Sequence, residues 1–272
     1  MQGEASLLSD RESRDSFAPK LRAAGLENER IYEELFSFAG LLDHNPRVQR
    51  ALTDPSRPVE DKAKLVDDLL EGKAHPLTVQ ILHDVVGRRW SRMSHLANAV
   101  EDFGVDSVMY LADARNVTLR VSIELAQLHS AFLNLPQVRS KLSDVYMPEA
   151  KRVEFLKTVL AGQKLDPVTM ILAIHATRAL RNRRYLTIIQ WLINKLSRHM
   201  GETMVTVTTA VPLTGEQVKR LVTTYSAKLN RPIHINSVVD PSVMGGMRIQ
   251  YGSEVTDHTV VAQLQRLRRS VG

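Results

Sequence analysis

Apolar residues recur every three or four positions along most of the chain, which is the spacing of amphipathic helices. Two segments share the same pattern, with apolar positions at Leu35, Phe38, Leu41 and Leu42 in one and at Leu125, Leu128, Ala131 and Phe132 in the other. After Gly201 the period falls to two, because residues 204–211 alternate and are rich in β-branched side chains. The pattern predicts a mainly α-helical protein with a small α+β C-terminal domain.

The helical part contains an internal repeat. The segment ELFSFAGLLDHNPRVQRALTD, from Glu34, matches ELAQLHSAFLNLPQVRSKLSD, from Glu124, at a constant offset of 90 positions. After one inserted residue the match continues, with HPLTV from His75 opposite DPVTM from Asp166. Because a fixed offset over so long a stretch indicates a repeated structural unit, the sequence predicts two related helical bundles.

Prolines and glycines mark the predicted helix ends at matching positions of the two copies. Proline disfavours helix at the residue before it and is favoured in a first turn, while glycine favours the C-terminal cap. The predicted ends lie before Pro46 and Pro136, the predicted starts at Pro58, Pro148 and Asp166-Pro167, and the predicted caps at Gly72 and Gly162.

The C-terminal segment mixes strands and helices. Thr214 and Gln217 have the spacing of a capping box, and the helix that follows has an apolar face made of Val218, Leu221, Val222, Tyr225 and Leu229. Further strands are predicted at 233–239 and 247–251, and Asp257 is predicted to cap a last helix. The result is a β-α-β-β-α module.

Gly245-Gly246 raises the question of a phosphate-binding loop. Phosphate and dinucleotide loops place their glycines between a strand and a helix, whereas this pair lies before a strand. We therefore interpret Gly245-Gly246 as a backbone turn or close approach, and Gly252 as a hairpin turn.

Three domains are predicted: a first bundle copy at 1–105, a second at 106–200, and the α+β domain at 201–272. Charge divides unevenly between them. Residues 1–105 hold 14 Lys and Arg against 18 Asp and Glu, whereas residues 106–272 hold 22 against 12, within a net charge of +6. Such polarity indicates that the two ends meet different partners, with the basic end facing something acidic.

The sequence predicts no catalytic, cofactor or metal site. There is no cysteine, and none of the nine histidines has the spacing of a metal motif. Adjacent acids such as Glu33-Glu34 diverge on a helix and are interpreted as solvated surface. The longest apolar stretch, around 170–176, is far shorter than a bilayer span, and no signal peptide is evident, so we expect a soluble or peripheral intracellular protein.

The C-terminal motifs resemble those of one family. They are LTGEQ from Leu213, VDPS from Val239, Gly245-Gly246 with Arg248 in the next strand, and VTD from Val255 before LQRL from Leu264. In this order they are similar to the C-terminal domain of the delta subunit of F-type ATP synthases, whose mitochondrial counterpart is the oligomycin-sensitivity-conferring protein. Met244, Tyr251 and His258 depart from the family pattern. Residues 106–200 resemble the family's six-helix bundle, and the extra copy resembles the long actinobacterial form.

The resemblance implies a non-catalytic stator subunit that links the catalytic head to the peripheral stalk during proton-driven ATP synthesis. The implied partners are the N-terminal helices of the alpha subunit and the beta subunits of the head, and the stalk b subunit, without membrane insertion. The implied location is the cytoplasmic face of the bacterial plasma membrane, within a membrane complex.

By the same resemblance, the head-binding groove lies between the first and fifth helices of the second bundle, here about 107–115 and 167–180. The candidate head contacts are Tyr110, Met170, Ala173, Ile174 and Thr177. The candidate stalk contacts are Leu264, Leu267, Arg268 and Val271. Any of the head contacts could instead be an ordinary core residue.

One alternative from another class stays open at this point. Residues 178–185 read RALRNRRY and residues 266–269 read RLRR, and basic clusters of this kind can bind nucleic acid. Against this reading, the sequence has no helix-turn-helix, RNP or zinc signature. We therefore expect no nucleic-acid partner.

Overall fold

The computed structural model describes residues 4–181, 183–201, 203–229, 233–240, 243, 245–251 and 254–257. The chain forms two compact units, Met1–Val117 and Thr118–Gly272. Within the described residues both units are rich in helix, and a small sheet follows the helices of the second unit. This confirms the predicted fold class.

The first unit, as far as the structure describes it, is a bundle of six α-helices. They are α1 (Glu4–Ala24), α2 (Asn28–His44), α3 (Pro46–Thr53), α4 (Val59–Leu70), α5 (Pro76–Gly87) and α6 (Met93–Ala114). A short 3-10 turn, Gly25–Glu27, joins α1 to α2. Leu35, Phe38 and Leu42 are buried in the shared core, as the helical period predicts.

The longest helix of this unit, α6, packs mainly against α2. Gly104 lies at the closest approach, since a Cβ atom built there would come within 2.5 Å of Phe36 Cε1. The absence of a side chain at Gly104 therefore lets the Phe36 ring lie against the α6 backbone.

The second unit begins with a run of helices and continues into the sheet. The helices before the sheet are α7 (Thr118–Leu133), α8 (Pro136–Leu142), α9 (Glu149–Val159), α10 (Pro167–Arg178) and α11 (Tyr185–His199). The later elements are β1 (Thr203–Thr209), α12 (Gly215–Leu229), β2 (Ile233–Val239), β3 (Met247–Tyr251) and β4 (Glu254–Asp257).

The sheet has the strand order β2-β1-β3-β4. Strand β1 pairs parallel to β2 and antiparallel to β3, which pairs antiparallel to β4. The predicted apolar face of α12 covers it, with Tyr225 packed against Val205, Val207 and Ile249. The predicted capping box is confirmed, because Thr214 N donates to Gln217 Oε1 at 2.8 Å and Gln217 N donates to Thr214 Oγ1 at 3.3 Å.

The duplication is visible in side-chain geometry. In the first unit, Arg30 Nε donates to Glu34 Oε1 at 2.8 Å, and Glu34 Oε2 accepts from His75 N at 2.9 Å. In the second unit, Arg120 Nε donates to Glu124 Oε1 at 2.7 Å, and Glu124 Oε2 accepts from Asp166 N at 2.8 Å. In both units a glutamate therefore ties two helices together: Glu34 links α2 to the start of α5, and Glu124 links α7 to the start of α10. The half-buried Glu34 is thus engaged within the bundle, so its interpretation as solvated surface is wrong.

The turns also follow the sequence interpretation. Gly72 and Gly162 have positive φ, 65° and 86°, but they lie one and two residues after the C-caps, which are Glu71 and Leu160. Gly245 and Gly246 have φ of 69° and 77°. The glycine pair is thus a turn with positive φ, and β3 follows it directly.

The predicted helix at 107–115 is not a separate element, because α6 runs unbroken from Met93 to Ala114. The boundary between the two compact units accordingly falls after Val117, later than the predicted junction at 105/106. Pro46 and Pro136 end one helix but also begin the next, since proline suits a first turn. Gly252 and the predicted last helix lie outside the described residues.

Candidate functional site

The candidate site is the outer face of α10, the helix of the second unit that matches α5 of the first. The side chains of Asp166 and Glu124 both accept hydrogen bonds at the N-terminus of this helix. Asp166 Oδ1 accepts from Val168 N at 2.9 Å, and Glu124 Oε2 accepts from Thr169 Oγ1 at 2.6 Å as well as from Asp166 N. Since acceptors at a helix N-terminus satisfy otherwise unpaired amides, α10 has a fixed start and a fixed rotation.

The rotation divides α10 into an inner and an outer face. The inner residues are buried; they are Val168, Thr169, Leu172, Ala173, His175, Ala176 and Thr177. Met170, Ile171 and Ile174 are half-buried. Since residues three and four apart lie side by side on a helix, these three form one apolar stripe, which we call the α10 face.

The equivalent positions of the first unit have different chemistry. On α5 they are Val79, Gln80 and His83. Gln80 Oε1 accepts from Lys20 Nζ of α1 at 3.0 Å, and His83 Nε2 lies 2.8 Å from Asp67 Oδ1 of α4. At two of its three positions this face of the first unit is therefore polar and engaged within its own bundle, whereas the α10 face is apolar at all three.

The structure separates the predicted head contacts into three groups. Met170 and Ile174 lie on the α10 face. Ala173 and Thr177 face the interior, and Thr177 Oγ1 donates to Leu142 O at 3.3 Å. Tyr110 belongs to the core of the first unit, with the Arg22 guanidinium 5.9 Å from its ring centre. Ala173, Thr177 and Tyr110 therefore lie at buried positions of the isolated chain.

Sequence reasoning missed Ile171. Helix α10 carries apolar residues in every turn, so hydrophobic periodicity alone does not distinguish inner from outer residues. A comparison of the two copies would have found it, because Ile171 replaces the polar Gln80.

The C-terminal end of α10 is held by Arg152 of α9. Its guanidinium donates to Thr177 O at 2.9 Å, to Asp144 O at 3.1 Å, to Arg178 O at 3.5 Å and to Met147 O. Arg152 is 6% exposed. One buried charge thus joins the end of α10 to the turn between α8 and α9.

Two arginines of the basic run 178–185 are engaged within the chain. Arg178 Nε lies 3.2 Å from Glu149 Oε1. The Arg183 guanidinium donates to Ala179 O at 2.9 Å and lies 5.6 Å from the Trp191 ring centre. These two arginines therefore have different partners within the chain.

No cluster of histidine and acidic side chains suited to a metal ion occurs among the residues that the structure describes. In the same part of the chain, each helix is too short or too polar to span a membrane. The predicted stalk contacts Leu264, Leu267, Arg268 and Val271 lie outside the described residues, so they stay predictions.

Comparison with known proteins gives consistent results. The chain matches the family described as ATP synthase delta (OSCP) subunit twice, over residues 21–106 and 105–271. A protein of Bifidobacterium adolescentis named ATP synthase subunit delta is 64% identical over all of this chain and 98% of its own length. Proteins of the same name from Beutenbergia cavernae and Salinispora tropica are 34% and 32% identical, covering 98% and 88% of this chain and 97% and 87% of their own lengths.

Proposed function

The chain belongs to the family of ATP synthase delta (OSCP) subunits, and on this basis we propose that it is a non-catalytic stator subunit. In this role it joins the catalytic head to the peripheral stalk, so that the head does not turn with the rotor. Proton flow through the membrane part can then drive ATP synthesis in the head.

The observation that carries this proposal is the apolar character of the α10 face, compared with its polar counterpart on α5. Ile171 and Ile174 hold no position that the repeat requires to be apolar, because Gln80 and His83 stand at the equivalent positions of a bundle with the same order of helices. Half-buried apolar side chains in a row fit helix-in-groove recognition, in which an amphipathic helix lays its apolar side on the stripe.

The occupant that we propose for the α10 face is an N-terminal helix of the alpha subunit of the head, near the beta subunits. The stalk b subunit would then bind the C-terminal domain. A joint of this kind places the protein at the cytoplasmic face of the plasma membrane as a peripheral part of the complex. The head contact needs slow dissociation, and a nanomolar Kd corresponds to about 12 kcal/mol.

Replacing Ile171 by Gln and Ile174 by His transfers the first unit's residues to the α10 face. We expect the Kd for the isolated head to rise roughly 30-fold, or about 2 kcal/mol, because two apolar anchors are lost from the centre of the contact. Biolayer interferometry with immobilised full-length chain and purified head measures this change directly.

Leu119→Gln is the matched control, since Leu119 is a 51% exposed apolar residue of α7 in the same unit. It should leave the Kd unchanged. If I171Q/I174H stays folded by circular dichroism and binds the head as tightly as the wild type, the α10 face is not the head contact.

A further inference from the structure

A second surface distinguishes the two copies, at the two ends of α8. Four exposed positions there are apolar in the second unit: Leu133, Leu135, Val145 and Tyr146. The matching positions of the first unit are also exposed; they are Asp43, Asn45, Pro55 and Ser56. We call the four residues of the second unit the α8 edge.

The fold does not require apolar side chains at these positions. Asp144 Oδ1 accepts from Tyr146 N at 2.9 Å, and in the first unit Asp54 Oδ1 accepts from Ser56 N at the same distance. The same turn thus forms with serine or tyrosine at its third position. Tyr146 is 95% exposed, so it adds no packing to the unit that carries it.

The α8 edge spans one short helix, and its C-terminal end is firmly held. Helix α8 has seven residues, which gives a length of about 10 Å between its ends. The turn after it is fixed by Arg152, and Ser143 Oγ accepts from Tyr185 N at 3.0 Å. A partner helix of two to three turns could therefore contact both ends of α8 without reordering them, which lowers the entropic cost of binding.

The charges around the α8 edge define the chemistry of that partner. Exposed basic residues surround it: Lys141 on α8, Lys151 on α9, Arg178 on α10 and Arg184 before α11. Two of these bases pair with exposed acids: Arg178 Nε lies 3.2 Å from Glu149 Oε1, and Lys151 Nζ lies 2.9 Å from Glu154 Oε2. Lys141 and Arg184 are the other two positive charges. The balance is positive, and an acidic partner would meet complementary charge around an apolar centre.

We propose that the α8 edge is a second docking surface, and that it binds an acidic amphipathic helical segment of another protein in the same complex. The surface is specific to the second unit. It is separate from the α10 face, since the α8 edge lies on the α7–α8 and α8–α9 connections. The inference rests on the proposed function in one respect: the partner is expected to belong to the same complex.

The absence of cysteine allows a clean crosslinking test. Leu135→Cys places one thiol on the α8 edge, and Asn45→Cys places one at the matching position of the first unit. Each full-length variant is labelled with benzophenone maleimide, assembled into the whole complex, irradiated and digested for mass spectrometry. We expect the Leu135→Cys variant to crosslink to a net acidic segment of another chain in at least tenfold higher yield than the Asn45→Cys variant.

Tyr146→Ser, added to Leu135→Cys, completes the test, because the first unit folds with serine at this position. It should lower the yield at least fivefold. Equal yields from the two cysteine variants, a crosslink to nucleic acid or to a segment without acidic character, or a yield unaffected by Tyr146→Ser would each overturn the inference. A wild-type chain that does not assemble into the complex at all would instead overturn the proposed function itself.

Discussion

Replacing Arg152 by alanine is expected to lower the free energy of unfolding of the second unit by about 4 kcal/mol. Its guanidinium donates to the carbonyls of Asp144, Met147, Thr177 and Arg178. Because these bonds are charge-assisted and lie at a buried position, their loss leaves several carbonyls without a donor. The turn after α8 and the end of α10 should both loosen.

Urea unfolding followed by fluorescence measures this effect in one unit at a time. The chain has two tryptophans, Trp90 in the first unit and Trp191 in the second, so a Trp90→Phe background reports on the second unit alone. Lys151→Ala is the neighbouring control, since Lys151 is exposed and pairs with Glu154 at the surface; a change below about 0.5 kcal/mol is expected. An equally small change for Arg152→Ala would show that the carbonyls find other donors.

Replacing Glu124 by alanine is expected to cost about 3 kcal/mol in the same unit. Glu124 accepts from Arg120, Thr169 and the backbone of Asp166, and it is 8% exposed. Its removal leaves donors unpaired at the buried start of α10. Glu34→Ala is the matched change in the first unit, and Trp90 fluorescence in a Trp191→Phe background should report a comparable loss there.

The same carboxylate makes stability depend on pH. Burial alone would raise the pKa of Glu124, but hydrogen bonds from Thr169, Arg120 and Asp166 N outweigh it and hold the pKa below its usual value. A pKa that is lower in the folded than in the unfolded state stabilises the fold above the unfolded pKa, about 4.3. That stability is lost as the pH falls through the folded pKa.

Glu124→Gln keeps the shape of the side chain and removes the titration. The difference in unfolding free energy between wild type and Glu124→Gln should therefore be constant near neutral pH and shrink below about pH 4. A difference that stays constant down to about pH 3 would contradict the charge-based account.

Much of the fold follows from local signals in the sequence. Prolines and glycines mark helix ends through backbone chemistry alone. Helix α9 begins directly after Pro148, α10 begins at Pro167, and Gly162, with positive φ, lies just after the end of α9. The hydrophobic period changes after Gly201 from that of a helix to that of a strand, and this local change locates the sheet.

Other features depend on contacts between distant residues. Helix α6 continues past the predicted domain junction between residues 105 and 106, and it packs along α2 with Gly104 at the crossing. That contact joins residues far apart in the chain, so the sequence near residue 105 does not reveal it. The inner position of Ala173 and the outer position of Ile171 are set by how Glu124 and Asp166 fix the rotation of α10. When every turn of a helix carries apolar residues, hydrophobic periodicity does not show which residues face inward.

The two copies together give information that neither gives alone. Residues that are shared, such as Arg30 and Arg120 or Glu34 and Glu124, hold the bundle together. Residues that differ between the copies at exposed or half-buried positions, such as Ile174 and its counterpart His83, do not share this structural role. The two proposed binding surfaces accordingly lie where the second copy is apolar and the first copy is polar at most of the matching positions.

The central claim is that the chain links the head to the membrane part without taking part in catalysis. Membranes stripped of the head and of this chain, with purified head added back, test it directly. We expect the head to hydrolyse ATP at the same rate with or without the chain, and to rebind the membranes and restore proton-driven ATP synthesis only when the chain is present. Rebinding and synthesis without the chain, or hydrolysis that requires it, would contradict the account.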